Sequence, residues 1–263
     1  MVERVAAGLP AAAAIAWAAR RAGSLSTSGA VAATAVGTAA VAAGWRWAAL
    51  LVIYFISSSL LSRVGAAEKA RRTSGVVAKG GARDAIQVLA NGGLFAFFAA
   101  QVPFVGAPLD AWVAAAALGA LAAATADTWA TEVGTLIGGA PRTLLTLRRA
   151  PPGTSGAVSV AGTLAMIAGA LFIALLARAL SLTTAVGIVA SAGAAGAMAD
   201  SLLGATLQER RWCDACALAT ERRVHACGTV TRLVGGRAWM DNDVVNFIAT
   251  LVGAVVATAL VAV

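Results

Sequence analysis

Carboxylates within apolar sequence are the residues of this 263-residue chain that most directly suggest chemistry. Asp127 and Glu132 lie in AAATADTWATEVGTLIG, and Asp200 lies in AMADSLLGATLQER. A charged side chain near the centre of a bilayer costs about 3 kcal/mol on insertion scales, so such residues usually face a polar interior. Carboxylate oxygens are ligands of Mg²⁺, which is commonly shared between one or two carboxylates and substrate phosphates. These three acids, with Asp243 at the start of the last apolar segment, predict a Mg²⁺ site.

The spacing of the first two acids limits how they can act together. Glu132 follows Asp127 by five residues, which is about 140° around a straight helix. Both carboxylates therefore reach one site only if the helix bends or if Gly134 ends it.

Amides and a glycine accompany the acids in the last two apolar segments. Gly204 and Gln208 are spaced to share a helix face with Asp200. Gly204 would allow another backbone or a phosphate to approach closely. In DNDVVNF, Asn242 and Asn246 have helical spacing. All these groups are expected at a similar depth in the membrane, next to the acids.

Cations occur at the start of the fourth apolar segment. In KGGARDAIQVLANGG, four polar residues recur at intervals of four: Lys79, Arg83, Gln87 and Asn91. This spacing predicts one helical stripe that runs from a charged rim into the membrane. Lys79 and Arg83 supply charges that bind anions such as phosphate.

Glycine and hydroxyl residues precede the sixth apolar segment, in PPGTSGAVS. Ser or Thr before a helix is usually an N-cap, and for the similar STSGAV near residue 27 capping and phosphate binding are equally open. At Gly153, Thr154, Gly156 and Ser159, the glycine-rich entry and nearby cations favour phosphate binding, because a helix N-terminus presents free N–H groups.

All three cysteines and the only histidine lie within 209–240, between the last two apolar segments. Their order is Cys213, Cys216, His225 and Cys227, a complete set of tetrahedral zinc ligands. The CxxC pair is a strong zinc signal, whereas the short gap to the histidine is uncommon in zinc fingers. Structural zinc and free thiols are equally open, and a catalytic Cys–His pair is a third alternative.

The composition of the chain indicates the class of protein in which these residues lie. Hydrophobic residues make up 60% of the chain and charged residues 12%, whereas about 25% of a soluble domain is charged. The sequence predicts an all-α polytopic membrane bundle, 1–263, as one domain. Eight apolar stretches of helical length are candidate spans, with ends defined to about 2–4 residues and the first of them short: 5–19, 28–44, 46–62, 84–102, 108–137, 156–177, 182–208 and 243–262. The first is interpreted as a helix rather than a signal peptide, because no clear cleavage region follows it.

The distribution of Lys and Arg predicts the orientation of the bundle. Of the 20 Lys and Arg residues, all except Arg4, Arg46 and Arg178 fall in connections on one side. The positive-inside rule places that side in the cytoplasm and both termini outside. The site would then face the cytoplasm from the cell membrane. No basic patch is interleaved with exposed aromatic residues, so nucleic acid is not an expected partner.

Two functional classes fit a membrane protein with buried acids. A transporter would place them near the midplane, in broken helices reached from both sides. A lipid phosphotransferase would place acids, cations and glycine turns at the edge of one leaflet, where a soluble nucleotide meets a membrane-dissolved substrate. The one-sided polar layer favours the enzyme. No GxxxxGK[ST] run occurs, so a nucleotide site would not be a P-loop.

Several motifs together resemble one integral membrane family, which includes the plant phytyl-phosphate kinase of the tocopherol pathway and relatives in bacteria, archaea and animals. The motifs are KGGARDAIQVLANGG, ADTWATEVG, GTSGAVS, DSLLGATLQ, the CxxC and HxC pairs, and DNDVVN. The family's third motif is closer to GTNGGVS, so Ser155 and Ala157 depart from it.

The resemblance implies transfer of a phosphoryl group from a nucleoside triphosphate, CTP in the plant enzyme, to an isoprenyl monophosphate. It implies that Lys79 and Arg83 hold phosphates and that Asn91 orients the site. It further implies a ring of Mg²⁺ ligands and neighbouring polar groups: Asp127, Glu132, Asp200, Asp243 and Asn246. A free alcohol as acceptor, as in the related phytol kinases, stays open, as do ATP in place of CTP and the oligomeric state.

Overall fold

The structure, a computed structural model, describes residues 2–73 and 81–263. Within these ranges the helices are α1 Val2–Arg21, α2 Thr27–Ala43, α3 Trp45–Arg63, α4 Ala66–Arg72, α5 Ala85–Gln101, α6 Leu109–Ile137, α7 Val160–Ala179, α8 Val186–Thr206 and α9 Asn242–Val261. A 3-10 turn, Val102–Phe104, follows α5. The short strands are β1 Arg142–Thr143, β2 Ala157–Val158, β3 Arg210–Cys213, β4 Leu218–Thr220 and β5 Arg232–Gly235.

Each predicted apolar segment coincides with a helix, and α4 is an additional short basic helix that hydropathy does not predict. Among the described helices, α3, α5, α6, α7, α8 and α9 are long and apolar enough to cross a membrane. The 17-residue α2 is also apolar but shorter. The predicted all-α membrane bundle is confirmed. The count of eight spans and the outside location of both termini stay predictions.

Small residues allow α6 to occupy the centre of the bundle. Every α6 residue in 115–126 is buried, and most are alanine. Where α9 crosses α6, a Cβ on Gly119 would lie 2.3 Å from the Gly253 carbonyl oxygen. Where α8 crosses it, a Cβ on Gly193 would lie 2.8 Å from the Ala122 Cβ. Membrane helices associate through such close backbone packing, because lipid provides no hydrophobic drive between them.

The start of α5 differs from the predicted polar stripe. Asp84 accepts a hydrogen bond from the Gln87 backbone N–H, and the Gln87 side chain accepts one from the Asp84 backbone N–H. This capping box begins the helix after Asp84. Arg83 therefore lies in extended chain bridged to the residues before α2, and the prediction that it belongs to the helical stripe is wrong. Lys79 lies outside the described residues.

One other predicted helix boundary is shifted, and one of the alternatives for α6 is excluded. The predicted helix from residue 156 begins only after Ser159, because β2 first pairs with β1 in an antiparallel ladder. Ser159 then accepts a hydrogen bond from the Gly162 backbone N–H and caps α7. Helix α6, in contrast, continues through Gly134 to Ile137, so the alternative that Gly134 ends it does not apply.

The connection between α8 and α9 contains a three-stranded antiparallel sheet in the order β4, β3, β5. Backbone hydrogen bonds attach it to the ends of both helices. Glu209 donates its N–H to the Met240 carbonyl at 2.8 Å, and Arg237 donates to the Leu207 carbonyl at 2.9 Å. The sheet therefore lies at the end of the bundle where α8 ends and α9 begins.

Candidate functional site

Many of the predicted polar residues that the structure describes lie at one end of the bundle, among the basic connections. Ser62 near the end of α3 contacts Glu132 near the end of α6. Gly156 before α7 packs on Ala205 near the end of α8. A backbone hydrogen bond joins the chain before α2 to Arg83 before α5. The polar layer is thus built from at least six helix ends.

Asp127 and Asp200 meet between α6 and α8. Their carboxyl groups lie within hydrogen-bonding reach of each other, and both residues are partly buried. The Oδ2 atom of Asp200 is buried and has no hydrogen-bond partner among the described residues. Two carboxylates this close repel each other unless a proton or a cation lies between them. This acidic pair is therefore a candidate cation site.

Small residues one turn away hold the acidic pair together. Ala126 and Ala197 are buried in one cluster with Ala170 of α7. A Cβ on Gly169 of α7 would lie 3.0 Å from the Thr125 carbonyl oxygen. Three helices thus approach closely just beside the two carboxylates. The packing of these helices, rather than any attraction between the acids, brings the carboxylates together.

Tyr54 of α3 connects the acidic pair to a cation. Its side chain is within hydrogen-bonding reach of Thr128 and interacts electrostatically with both Arg83 and Asp127. The Arg83 guanidinium donates to Ser59 Oγ at 3.0 Å. A hydroxyl partner orients the guanidinium without neutralising it. Arg83 and Asp127 therefore lie on either side of Tyr54, which interacts with both.

Glu132 forms an ion pair with Lys69 of α4. Lys69 Nζ lies 2.5 Å from Glu132 Oε2 and also donates to the Leu61 and Ser62 carbonyls. Ser62 Oγ donates to Oε1 of the same carboxylate at 2.5 Å. The charge of Glu132 is therefore compensated by the protein, and its partners belong to α3 and α4, whereas Asp127 contacts α8. Its Mg²⁺ role stays a prediction, with less support than that of the acidic pair.

The glycine loop before α7 packs on backbone at the end of α8. Gly156 has φ +70°, and a Cβ there would lie 2.2 Å from the Ala205 backbone nitrogen. A Cβ on Gly204 would lie 2.7 Å from the Gly156 backbone nitrogen. The sequence allowed either a phosphate or another backbone segment to approach Gly204, and in the structure the Gly156 backbone occupies this position.

Hydroxyl groups of this loop are engaged in local contacts. Thr154 Oγ1 donates to the Pro151 carbonyl at 2.8 Å, and Gly153 supplies the turn with φ +85°. Ser155 donates a hydrogen bond to Glu221, which precedes β5 and interacts electrostatically with Asp200. A phosphate at this loop would therefore bind mainly to backbone N–H groups.

The predicted amides and Asp243 occupy different environments. Gln208 is buried beneath the sheet, where the Gly236 backbone packs on its carbonyl. Asp243 is buried in the first turn of α9, and Asn246 is partly buried one turn later. Asn242, in contrast, is exposed. Asp243 and Asn246 are thus shielded at the start of α9, which lies at the same end of the bundle as the end of α8, whereas Asn242 is exposed.

A largely apolar cavity of about 310 Å³ lies between α1, α2, α3 and α5. Tyr54, Ser58, Arg83, Gln87 and Asn91 contribute its polar groups. Ser58 Oγ is buried and has no hydrogen-bond partner among the described residues. Concave sites with apolar walls and a few polar groups are typical of small-molecule binding. Because Tyr54 also contacts the acidic side, the cavity and the acidic pair are neighbours.

The four predicted zinc ligands lie together in the loop between α8 and α9. Their ligand atoms are all within 4.8 Å of one another: Cys213, Cys216, His225 and Cys227. All three cysteines are thiols. Hydrogen bonds with Thr229 and His225 lower the pKa of Cys227 to about 5. The hydrogen bond with Cys227 raises the pKa of Cys216 to about 11.

Four residues of the polar layer are not predicted as site residues by the sequence: Tyr54, Ser62, Lys69 and Glu221. Lys69 counts there only as one of the loop cations. The contacts of the last three span 63 to 70 residues of chain, a separation at which spacing carries no information. For Tyr54 a weak signal exists, since it is the single tyrosine of the chain and lies in an apolar segment.

Comparison with known proteins finds relatives in plants, cyanobacteria and archaea. The chain is 31% identical to Protein PGR of Arabidopsis thaliana over 256 residues, which cover 87% of this chain and 86% of the relative. It is 32% identical to an uncharacterised membrane protein of Synechocystis, with 82% and 74% covered. An uncharacterised membrane protein of Methanocaldococcus jannaschii is 30% identical, with 81% and 75% covered.

The match to a protein family extends over the whole polar layer and the loop with the cysteines. No solved structure matches the chain. Residues 10–254 match the family described as integral membrane protein DUF92. This range contains every candidate site residue named above, and the kinship indicated by the sequence motifs is confirmed. The chain therefore belongs to the DUF92 family of integral membrane proteins.

Proposed function

We propose that this chain is a membrane phosphotransferase that moves the terminal phosphate of a nucleotide to an isoprenyl monophosphate such as phytyl or geranylgeranyl phosphate. The product would be the isoprenyl diphosphate, and the preference for CTP rests on the family resemblance. One observation carries the proposal: Tyr54 interacts with Asp127 of the acidic pair and with the cation Arg83, and Tyr54 and Arg83 both line a largely apolar cavity. Phosphoryl transfer requires mainly positioning and charge neutralisation, which these groups would supply.

The acidic pair suits Mg²⁺ chemically. Mg²⁺ prefers oxygen ligands and keeps several waters, so one or two carboxylates and substrate phosphates complete its shell. The Oδ2 atom of Asp200, which has no hydrogen-bond partner in the described part of the chain, offers one such ligand, and Asp127 offers the next. Asp243 and Glu132 are additional candidates, but Glu132 would first have to leave Lys69. A bound Mg²⁺ would neutralise phosphate charge at this point.

The cavity beside Tyr54 suits the lipid substrate. Its volume of about 310 Å³ lies at the lower end of the range of about 300 to 1,000 Å³ that is typical of ligand pockets. We place the isoprenyl tail among its apolar walls and the monophosphate at Arg83. Asn91 and Gln87 line the same cavity and would orient the head group.

The donor nucleotide would approach from the basic connections. The loop with Gly153, Thr154 and Gly156 and the start of α7 at Ser159 would hold its phosphates through backbone N–H groups. Lys79 would add a second cation. The glycine loop packs on α8 only five residues beyond Asp200 at Ala205, so donor phosphates bound there would lie near the acidic pair.

The protein's own part in the reaction would be electrostatic. An isoprenyl monophosphate is already ionised, so its attacking oxygen needs no general base. Arg83 would reduce the repulsion between the acceptor and the donor anions and hold the acceptor for in-line attack. A free alcohol would instead have to lose its proton to a base. The choice between the two acceptors is therefore open to direct test.

A label-transfer assay tests the proposal. Purified protein in detergent with Mg²⁺ receives γ-labelled CTP or ATP and phytyl, geranylgeranyl or farnesyl monophosphate, with the free alcohols in parallel. We expect label in the lipid diphosphate, with CTP as the better donor. Label in a monophosphate made from the alcohol would instead identify a phytol or polyprenol kinase.

Neutralising the acidic pair provides the matching variants. We expect Asp127→Asn and Asp200→Asn each to lower kcat at least about 100-fold, because charge stabilisation of this kind is worth about 3 kcal/mol. Asp110→Asn is the control, since Asp110 begins the same helix about 25 Å from Asp127 along the axis. Wild-type turnover in both site variants would remove the proposed metal role.

Failure of transfer to every acceptor, by protein shown to be folded, would favour the second functional class, a transporter. Flux of labelled lipid phosphate into liposomes would then be measured. We also propose that the site faces the cytoplasm at the cell membrane, because nucleotides are available there.

A further inference from the structure

We propose that Cys213, Cys216, His225 and Cys227 bind one structural Zn²⁺ ion that holds the sheet of the α8–α9 connection against the bundle. Structural zinc sites use four such ligands in tetrahedral geometry. The inference is independent of the phosphotransferase proposal, because it concerns how this loop folds.

The first two ligands come from a tight turn. Cys213 ends β3, where it pairs with Leu218 at the last position of the β3–β4 ladder. Cys216 lies in the turn between them, which Ala217 completes with φ +50°. A non-glycine residue in this conformation is uncommon. The turn therefore presents two thiols from one side of a short hairpin.

A second tight turn supplies the other two ligands. His225 donates its backbone N–H to the Thr229 carbonyl, and Gly228 donates to the His225 carbonyl, both at 2.9 Å. Gly228 has φ +84°, and a bridge between the flanking valines closes the turn. Two small hairpin turns thus face each other with one pair of ligands each.

The separations of the ligand atoms fit a single zinc ion. Two sulfurs bound to one tetrahedral zinc lie about 3.8 Å apart, because each Zn–S bond is about 2.3 Å. The Cys213 and Cys227 sulfurs are 3.6 Å apart, and His225 Nδ1 is 3.2 Å from the Cys227 sulfur. A disulfide would require about 2.05 Å between sulfurs. The cluster therefore has the dimensions of a metal site.

The sheet lacks an apolar core of its own. Its strands are three or four residues long. Apolar side chains in and beside the strands are exposed over 40% or more of their surface: Leu218, Val224, Val230, Leu233 and Val234. Cys213, in contrast, is fully buried. Units this small are usually stabilised by a metal or by disulfides, and here the buried ligand cluster takes the place of a core.

The proposed zinc would also stabilise a contact between the sheet and the glycine loop before α7. Glu221 follows β4 and lies between the two ligand pairs in sequence. It accepts a hydrogen bond from Ser155 of the glycine loop. Loss of the metal should therefore release the sheet from that loop as well as from its own fold.

Zinc content of the full-length protein in detergent tests the site. After dialysis against metal-free buffer, we expect about one zinc per chain in the wild type. Cys216→Ser is the test variant, because Cys216 is exposed and its loss removes no packing. Asp214→Asn is the matched control, since Asp214 lies in the same turn but only pairs with Arg232 at the surface. We expect zinc in the control and at least a several-fold loss in Cys216→Ser.

Thiol labelling provides a measurement that needs no variant. N-ethylmaleimide should modify none of the three cysteines in the zinc-loaded wild type and all three after chelation. Cobalt in place of zinc should give the visible absorption bands of a tetrahedral thiolate site. Equal zinc in Cys216→Ser and wild type, labelling unaffected by added zinc, or thiols that react only after reduction of a disulfide would each overturn the proposal.

Discussion

At the level of single residues, the positive charge of Lys69 stabilises a network of hydrogen bonds at one end of the bundle. Lys69 is buried, and its ammonium group contacts Glu132 and two carbonyls at the end of α3. The same carboxylate accepts from Ser62, which also accepts from Arg83 at 3.3 Å. Lys69 therefore supports the residue that we expect to bind the acceptor phosphate.

Replacing Lys69 with methionine should lower stability markedly. The change leaves the Glu132 carboxylate without its cation, and breaking a buried ion pair in this way costs about 3 to 5 kcal/mol. We expect a lower midpoint of thermal unfolding in detergent. The double variant Lys69→Met with Glu132→Gln should recover part of the loss, because no uncompensated charge is left. An unchanged midpoint in Lys69→Met would show that the pair contributes little.

At the scale of elements, the contact between the glycine loop and the end of α8 is the most crowded point near the acidic pair. Gly156 and Gly139 both have positive φ, at +70° and +66°. Only Gly156 has backbone atoms where a Cβ would be, whereas nothing lies within 4 Å of a Cβ on Gly139. Substitution of Gly139 therefore tests the cost of the backbone conformation alone, whereas substitution of Gly156 also tests the close contact with α8.

Alanine at these two glycines should have unequal effects. Gly139→Ala should cost about 1 kcal/mol from the left-handed conformation alone. Gly156→Ala should cost about 3 kcal/mol, because the loop must also move away from α8. Thermal unfolding and turnover of both variants provide the comparison. Equal losses in the two variants would show that the contact with α8 does not position the loop.

At the scale of the whole molecule, the orientation predicted from Lys and Arg can be read from the native cysteines. All three lie in the α8–α9 connection, which the prediction places in the cytoplasm. After chelation, a membrane-impermeant maleimide should label the protein in inside-out vesicles and leave it unlabelled in right-side-out vesicles. Detergent-permeabilised vesicles provide the total. Labelling in right-side-out vesicles would reverse the orientation and place the acidic pair outside.

Features that depend on residues close together in the chain can be predicted without the structure. Apolar length predicts the helices, because a backbone in lipid must satisfy its own hydrogen bonds. Ser159 caps α7, which is the usual role of a hydroxyl residue before a helix, although the glycine-rich sequence favoured phosphate binding there. The cysteines and the histidine are close in sequence, so short turns bring them together. Even here, the capping box at Asp84 placed Arg83 outside the helix, against the stripe that its spacing suggested.

The pairing of the acids, in contrast, depends on how the helices pack. Spacing along α6 left open whether Asp127 acts with Glu132, and helix packing instead brought Asp127 to Asp200 and Glu132 to Lys69. These contacts depend on the close approach of alanine and glycine faces, such as Ala126 against Ala197. Small residues are abundant throughout this chain, so their order does not indicate which faces pack. The position along each helix at which two helices cross determines which side chains meet. That position does not depend on any hydrogen bond between residues close in sequence.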